Sequence, residues 1–155
     1  MIRLIAFTLA TLSLAPGLAL AHDPQVDVPE AAQAAAATVD RFLEALSAGD
    51  IDRAGAELDP EVIILESGGA EYSAAEYLGG HAKADAEFLK TAQQKPGRRT
   101  ARVSGELAWV ASESEILVQQ DGRPVTIAST ETMVLRSTDV GWRIVHIHWS
   151  SRTGK

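Results

Sequence analysis

The chain has 155 residues and no cysteine, and its 21 acidic side chains outnumber 14 basic ones, for a net charge of −7 at pH 7. A chain of this length forms one domain with a core of its own. The acidic balance disfavours nucleic acid and membrane surfaces as partners, because both carry negative charge. The lack of cysteine excludes disulfides, thiolate metal ligands and cysteine nucleophiles.

Residues 1–21 predict a cleaved signal peptide. Arg3 gives a positive start, an apolar run follows, and Ala19-Leu20-Ala21 has the small-x-small pattern that signal peptidase accepts. Pro16-Gly17 interrupts the run before it reaches the roughly 20 apolar residues that span a bilayer. An uncleaved anchor is the alternative. We therefore predict a periplasmic protein that begins at His22 and, because Arg3 is the only charged residue removed, has a net charge of −8.

The first half of the mature chain predicts helices. Residues 22–28 are polar and are expected to form a flexible lead-in, followed by the domain at 29–155. The apolar residues of 31–46 recur at helical spacing and Gly49 supplies a stop, which predicts a long amphipathic helix. A shorter helix is predicted over 50–58, before Asp59-Pro60.

The middle of the chain predicts one strand and one more helix. Residues 62–65 are β-branched or apolar and indicate the strand. Ser73 with Glu76 three residues later is typical of a capping box, so a helix is expected to run from there to about Ala92. A polar connector is expected over 95–99. The predicted inward stripe of this helix is Tyr77, Leu78, His81, Asp85, Phe88 and Leu89.

From Thr100 onward the apolar pattern alternates as in strands. Long strands are predicted over 107–120, 124–136 and 142–151, and Asp121-Gly122 is a strong signal for a two-residue hairpin turn. Helices that precede a run of antiparallel strands define an α+β domain and not a parallel sheet.

Two segments resemble one known superfamily. Ala48-Gly49-Asp50-Ile51-Asp52 is similar to the helix-to-helix turn of SnoaL-like domains, in the nuclear transport factor 2-like superfamily. The ending Gly141–Ser150 and the preceding Glu131-Thr132 resemble the subgroup that contains the association domain of calcium/calmodulin-dependent kinase II. The resemblance implies a cone-shaped, curved antiparallel sheet wrapped around the long N-terminal helix, with an open conical pocket.

Function follows from this resemblance only in outline, because the superfamily includes isomerases, cyclases, dehydratases, binding proteins and oligomerisation modules. Many members are dimers that pair through their sheets. Thr132-Met133-Val134 stands where the kinase association domain places arginines in its cone. The chain also matches neither the Asp and Tyr set of the steroid isomerases nor a secure catalytic dyad of the polyketide cyclases.

His146-x-His148 is the most informative local pattern. Residues two apart on a strand point to one face, so the two imidazoles stand side by side. Such a pair can hold a metal, relay protons or recognise a polar ligand. If Val145, Ile147 and Trp149 on the opposite face of the strand face the cone instead, the histidines belong to the convex, dimer-forming side.

Other candidates are single side chains. His81 and Asp85 are four apart on the helix, where the carboxylate can orient the imidazole. Glu66 adjoins a glycine turn near the mouth of the expected cone. Glu131 lies mid-strand and is either a general base or polar anchor facing the pocket, or part of an ion pair on the convex face. Trp149 lines the pocket or belongs to the core.

The leading prediction is an exported homodimer that binds a small, partly apolar ligand without a cofactor. One alternative is an acid–base enzyme of the isomerase, cyclase or hydrolase type. The other is a copper or zinc protein that uses the amine and side chain of His22 with one of the two C-terminal histidines. The predicted ligand-binding residues are Glu66, His81, Glu131, His146, His148 and Trp149.

Overall fold

The structure is a computed structural model that describes residues 25–153, so the predicted signal peptide lies outside the described residues. In this range, four α-helices precede or interrupt the strands. They are α1 (Gln33–Ala48, after a 3-10 turn at Glu30–Ala32), α2 (Ile51–Gly55), α3 (Ala74–Gly79) and α4 (His81–Thr91). The strands are β1 (Val26–Asp27), β2 (Leu58–Glu66), β3 (Gly69–Glu71), β4 (Gln93–Ser104), β5 (Leu107–Gln120), β6 (Arg123–Thr138) and β7 (Gly141–Thr153).

The seven strands of the described part of the chain form one sheet in the order β1-β4-β5-β6-β7-β2-β3. Four long antiparallel strands, β4 to β7, make its centre, while β2 joins β7 in parallel. The sheet curves around α1 without closing, which confirms the predicted α+β cone. Within residues 25–153, no helix has the length and hydropathy needed to cross a bilayer.

Helix α1 carries the largest part of the core on its inner face. Its buried residues recur every three or four positions and include Val39, Phe42 and Leu46, each fully buried. Gly49 ends the helix in the left-handed conformation with φ of 75°, and its N–H bonds back to carbonyls in the last turn. The stop signal at this glycine is therefore confirmed, since a left-handed cap is the conformation that glycine adopts at least cost.

Several boundaries differ from the sequence prediction. Val26–Asp27 of the expected lead-in pairs with β4 as a short parallel edge strand. The helix expected after Ser73 is two helices, because the chain breaks at Gly79-Gly80. Ser73 is confirmed as the cap of the first, since its hydroxyl accepts from the N–H of Glu76 at 3.1 Å. The prediction of a polar connector at 95–99 was wrong, because these residues belong to β4.

The connector was misread because β4 contains a bulge. Gly97 and Arg98 together face the single residue Glu113 of β5, so the pairing shifts by one residue between Pro96 and Arg99. Pro96 and Gly97 disfavour a regular ladder, yet a bulge accommodates both. A Cβ on Gly97 would lie 2.9 Å from the backbone oxygen of Glu113, so the close approach requires glycine. The bulge sets the side of the sheet on which Arg99 lies.

Candidate functional site

A pocket of about 510 Å³ lies between α1, α4 and the concave face of β4 to β7. This volume is within the range of small-ligand sites, which are commonly about 300–1,000 Å³. Polar side chains are concentrated on the strands that form the floor. The apolar lining comes mainly from Leu43, Leu46, Phe88, Leu89, Ile116, Ile127 and Trp149.

One row of side chains crosses this floor. Arg99 on β4 lies opposite Ser112 on β5, Ser112 opposite Glu131 on β6, and Glu131 opposite Trp149 on β7. Glu66 on β2 continues the row beside Trp149. We call these five residues the polar row, and all of them line the pocket. They come from five different strands, so only the sheet register brings them together.

Glu131 occupies the middle of the polar row. The indole Nε1–H of Trp149 donates to its carboxylate at 3.0 Å. Burial raises the pKa of Glu131 above its usual range, and this effect outweighs the opposing influence of the Trp149 N–H, Ser112 and Arg99. A carboxyl group whose pKa is raised by burial is a stronger base than an exposed one and can also anchor a polar group of a ligand.

Arg99 enters the pocket from the bulged part of β4. Its Nη1 donates to Asp40 on α1 at 2.5 Å. Within residues 25–153, three buried side-chain atoms have no hydrogen-bonding partner: Nε and Nη2 of Arg99 and the hydroxyl of Ser112. Ser112 influences the pKa of Glu131 from its cross-strand position, although its hydroxyl does not meet hydrogen-bond geometry with that carboxylate. Buried polar atoms of this kind are uncommon in folded proteins, so three on adjacent residues mark this corner of the pocket as distinctive.

Two carboxyl groups lie together at the other end of the polar row. Glu66 and Asp85 both line the pocket, and Tyr77 donates its hydroxyl proton to Asp85 at 2.9 Å. Burial is the largest cause that raises the pKa of each of these two carboxyls, and for Glu66 the neighbouring carboxylates raise it further. His81 bonds the buried Glu71, which raises the pKa of the imidazole.

His81 itself is outside the pocket lining. Its side chain is 69% exposed, so the expected inward position on the helix is not observed. The other residues of the predicted stripe are buried, pack on the core or line the pocket, so only His81 departs from it. At the start of α4 the buried position is taken by Ala82 and not by the histidine. His81 therefore acts on the pocket only indirectly, through its charge on Glu66 and Asp85.

His146 and His148 lie on the convex face of the sheet. His146 pairs with Ile63 of β2 and His148 pairs with Leu65, and these side chains point to the face of the sheet away from the pocket. His146 donates from Nδ1 to the carbonyl of Ile63 at 2.9 Å. Their neighbours Ile147 and Trp149 face the core and the pocket. The pocket contains Glu66, Glu131 and Trp149 of the six predicted site residues and excludes the three histidines.

The predicted metal site has no counterpart among residues 25–153. No group of three or more His, Asp or Glu side chains in this range is arranged to hold a metal ion. His22 lies outside the described residues, so its part in a copper or zinc site stays a prediction from the sequence.

Arg99 and Ser112 are the site residues that sequence reasoning missed. Arg99 lies in the Arg98-Arg99 pair of a segment that looks like a solvent-exposed connector. Ser112 is one of many serines in an alternating strand. Strand alternation from Val110, which is fully buried, puts Ser112 on the concave face and is the one signal available in the sequence.

The chain belongs to the SnoaL-like domain family, whose model matches residues 35–153. The fold of its solved relatives is that of the nuclear transport factor 2-like superfamily. A search of curated proteins finds no match to this chain.

Three solved structures illustrate the likeness. A "putative ketosteroid isomerase" from Shewanella frigidimarina is 32% identical, with a TM-score of 0.72 over 76% of this chain and 94% of that chain. The CaMKII hub of S. rosetta is 22% identical, with a TM-score of 0.64 over 77% and 95%. A "putative dehydratase" of the NTF2-like family from Streptomyces avermitilis is 19% identical, with a TM-score of 0.62 over 77% and 95%. The last two show the shared fold alone.

Proposed function

We propose that this protein binds a small, partly apolar ligand in the conical pocket, with Glu131 and Trp149 as polar anchors. The observation that carries the proposal is the polar row beneath apolar walls in a pocket of about 510 Å³. Pockets that combine apolar lining with a few convergent polar groups are the usual sites for small molecules. Membership of a family whose domains bind ligands or act as isomerases and dehydratases supports it.

A substitution that fills the pocket tests this proposal. Ser129 lines the pocket on β6, whereas the next residue, Thr130, points to the convex face. We expect Ser129→Phe to remove ligand binding and Thr130→Phe to retain it, with both variants folded by circular dichroism. The assay is the shift in melting temperature caused by a panel of fragment-sized alcohols, amides and carboxylates, with 3-phenylpropanamide as the neutral reference.

Two results of this assay would contradict the ligand-binding proposal. If no member raises the melting temperature of the wild type, or if the protective members act equally on Ser129→Phe, the pocket is not a ligand site. Fluorescence of Trp149 gives a second readout in a Trp109→Phe/Trp142→Phe background, because this indole lines the pocket. A bound ligand should change its emission while the variant background keeps its fold.

The second candidate function is proton-transfer catalysis, favoured by the burial that raises the pKa of Glu131. In this mechanism the Glu131 carboxylate removes a proton next to a carbonyl group and returns it at another carbon, so that the substrate is isomerised without a cofactor. The likeness to a "putative ketosteroid isomerase" makes a 3-oxo-Δ5 steroid the first substrate to try.

The enzyme proposal is tested by ultraviolet absorption, since the product of that isomerisation is a conjugated enone. We expect turnover by the wild type and a loss of about 100-fold or more in Glu131→Gln, which keeps the acceptor for Trp149 but cannot take the proton. Equal rates for wild type and variant would exclude Glu131 as the base. No turnover with steroids or small β,γ-unsaturated ketones would favour binding alone.

We also propose that the protein is a homodimer that pairs through the convex face of its sheet. Ile63, Leu65 and Trp109 lie on this face, and each is at least 36% exposed. Exposed apolar groups gathered on one face are typical of an interface. Light scattering should give twice the chain mass for the wild type and one chain mass for Trp109→Glu. A monomeric wild type at micromolar concentration would contradict the proposal.

Export is the last part of the proposed function and rests on the sequence of residues 1–21. Expression of the full chain in a Gram-negative host should deliver a periplasmic product whose first residue is His22. Intact mass and N-terminal sequencing measure both points. A full-length product retained in the cytoplasm or the membrane fraction would contradict this proposal.

A further inference from the structure

The unpartnered donors at one corner of the pocket have a defined chemical shape. Nε–H and the nearer Nη2–H of an arginine lie on the same edge of the guanidinium plane and point in parallel. That edge matches the two oxygens of a carboxylate, which makes it the strongest geometry for recognising one. In Arg99 this edge lacks a partner within residues 25–153, while the remaining nitrogen, Nη1, is held by Asp40.

Asp40 therefore holds the guanidinium in place through Nη1 and leaves the edge formed by Nε and Nη2 free of partners among the described residues. The aspartate is on α1 and 61% exposed, whereas the Arg99 side chain is 22% exposed. The backbone N–H of Arg99 is also held, since it donates to the carbonyl of Gln25 at 2.9 Å. Arg99 is therefore held at both ends and lines the pocket, so its side chain is pre-organised for a ligand.

Ser112 adds a third donor to the same corner. It lies directly opposite Arg99 in the pairing of β4 with β5, and its buried hydroxyl also has no partner among the described residues. Glu131 does not occupy the free edge of Arg99, because β5 separates the two residues by two strand spacings, or about 10 Å between backbones. Its hydrogen bond runs the other way, to Trp149.

The lining around this corner indicates what else the ligand carries. Leu43, Phe88, Leu89 and Ile116 are apolar and line the same pocket, so a hydrocarbon or aromatic group can lie against them. Burial keeps Glu131 toward its neutral form, which reduces its repulsion of an anion at Arg99.

We infer that Arg99 and Ser112 form a carboxylate-binding subsite, and that the pocket takes a small monocarboxylate with an apolar body. The carboxylate accepts from both free nitrogens of Arg99 and from the Ser112 hydroxyl. The apolar body extends along α4 toward the ends of β5 and β6. This inference rests on the proposed ligand-binding function and names the class of ligand.

Isothermal titration with a matched pair of probes tests the subsite. We expect 3-phenylpropanoate to bind the wild type about tenfold or more tightly than 3-phenylpropanamide, because only the acid supplies a charged acceptor. Arg99→Met should weaken the acid by about 10- to 100-fold and leave the amide within about twofold. Arg99→Lys should recover little of the loss, since an ammonium group has no two-donor edge. Ser112→Ala should weaken the acid by a smaller factor.

Arg102→Met is the matched control. This arginine is on the same strand, bonds Asp27 and lies outside the pocket lining. Its substitution should change neither affinity. A role of Arg99 that is only structural predicts a lower melting temperature for Arg99→Met. A ligand-binding role predicts an equal or higher one, because buried donors without partners are removed.

A melting experiment with acetate shows whether a negative result concerns only the carboxylate subsite or the whole ligand-binding proposal. As the smallest stable carboxylate, it tests the subsite without the apolar walls. Acetate should raise the melting temperature of the wild type above an equal concentration of chloride, and should not do so in Arg99→Met. If neither acetate nor 3-phenylpropanoate shows a dependence on Arg99, the subsite is overturned. If the amide and the other neutral probes bind all the same, the ligand-binding function stands without it.

Discussion

Two neighbouring rows of the sheet show how one surface serves two purposes. The polar row lies only two residues along each strand from a second row on the same concave face, which we call the core row. The core row is at most 1% exposed at every position, whereas the polar row lines an open pocket. The core row consists of Ala101, Val110, Met133, Ile147 and Ile64.

The difference between the rows comes from what covers them. The buried face of α1 packs on the core row and joins it in one apolar cluster. Beyond Leu46 the helix ends at Gly49, and α4 covers the polar row only loosely, with Phe88 still 40% exposed. Stability is therefore concentrated where the helix seals the sheet, whereas the pocket proposed to bind a ligand lies where the helix does not. A pocket on this fold therefore requires an unfilled stretch of an otherwise core-forming face.

The largest effect is expected in the core row. Met133→Ala removes a fully buried side chain between two strands and leaves a cavity, so it should lower the free energy of unfolding by about 2–5 kcal/mol. Met133→Leu nearly conserves the volume and should cost less than about 1.5 kcal/mol. Urea denaturation measures both. A loss below about 1 kcal/mol for the alanine variant would show that the core row does not hold the fold.

An intermediate effect is expected at the bulge that aims Arg99 into the polar row. Gly97→Ala places a Cβ 2.9 Å from the carbonyl oxygen of Glu113, so the strands must separate locally. We expect a loss of about 1–3 kcal/mol in the free energy of unfolding, measured in urea. A Cβ on Gly79 meets no heavy atom of residues 25–153 within 4 Å, so Gly79→Ala is the matched control and should change stability by less than about 1 kcal/mol. Equal effects of the two substitutions would contradict the close approach.

The smallest effect is expected at Glu131 and depends on pH. Its pKa is raised in the folded state, so its neutral form is favoured and the contribution to stability is present at low pH but lost as pH rises through the folded pKa. Glu131→Gln should therefore be more stable than the wild type at pH 7, on the order of 1 kcal/mol, and the gain should disappear below about pH 4. Thermal melts between these values measure it. A gain that does not vary with pH would contradict the burial of an ionisable group here.

Most of the helices and turns could be predicted from the sequence because their signals are local. The apolar spacing of α1, its stop at Gly49 and the N-cap at Ser73 each depend on residues within a few positions of one another. The Asp121-Gly122 hairpin is confirmed in the same way, since both residues adopt positive φ, 51° and 74°, as a two-residue turn requires. The resemblance of the final strand then gave the fold family.

The set of side chains that share the pocket could not be predicted from the sequence, because it depends on the register of strands far apart in the chain. Glu131 could be singled out as a carboxylate in mid-strand, but its neighbours Arg99 and Ser112 meet only after a bulge shifts β4 by one residue. A second bulge at Val145 lets Ile144 and Ile147 both face inward and fixes His146 and His148 on the convex side. A shift of one residue exchanges the two faces of a strand, so alternation in the sequence does not by itself assign a side chain to the pocket.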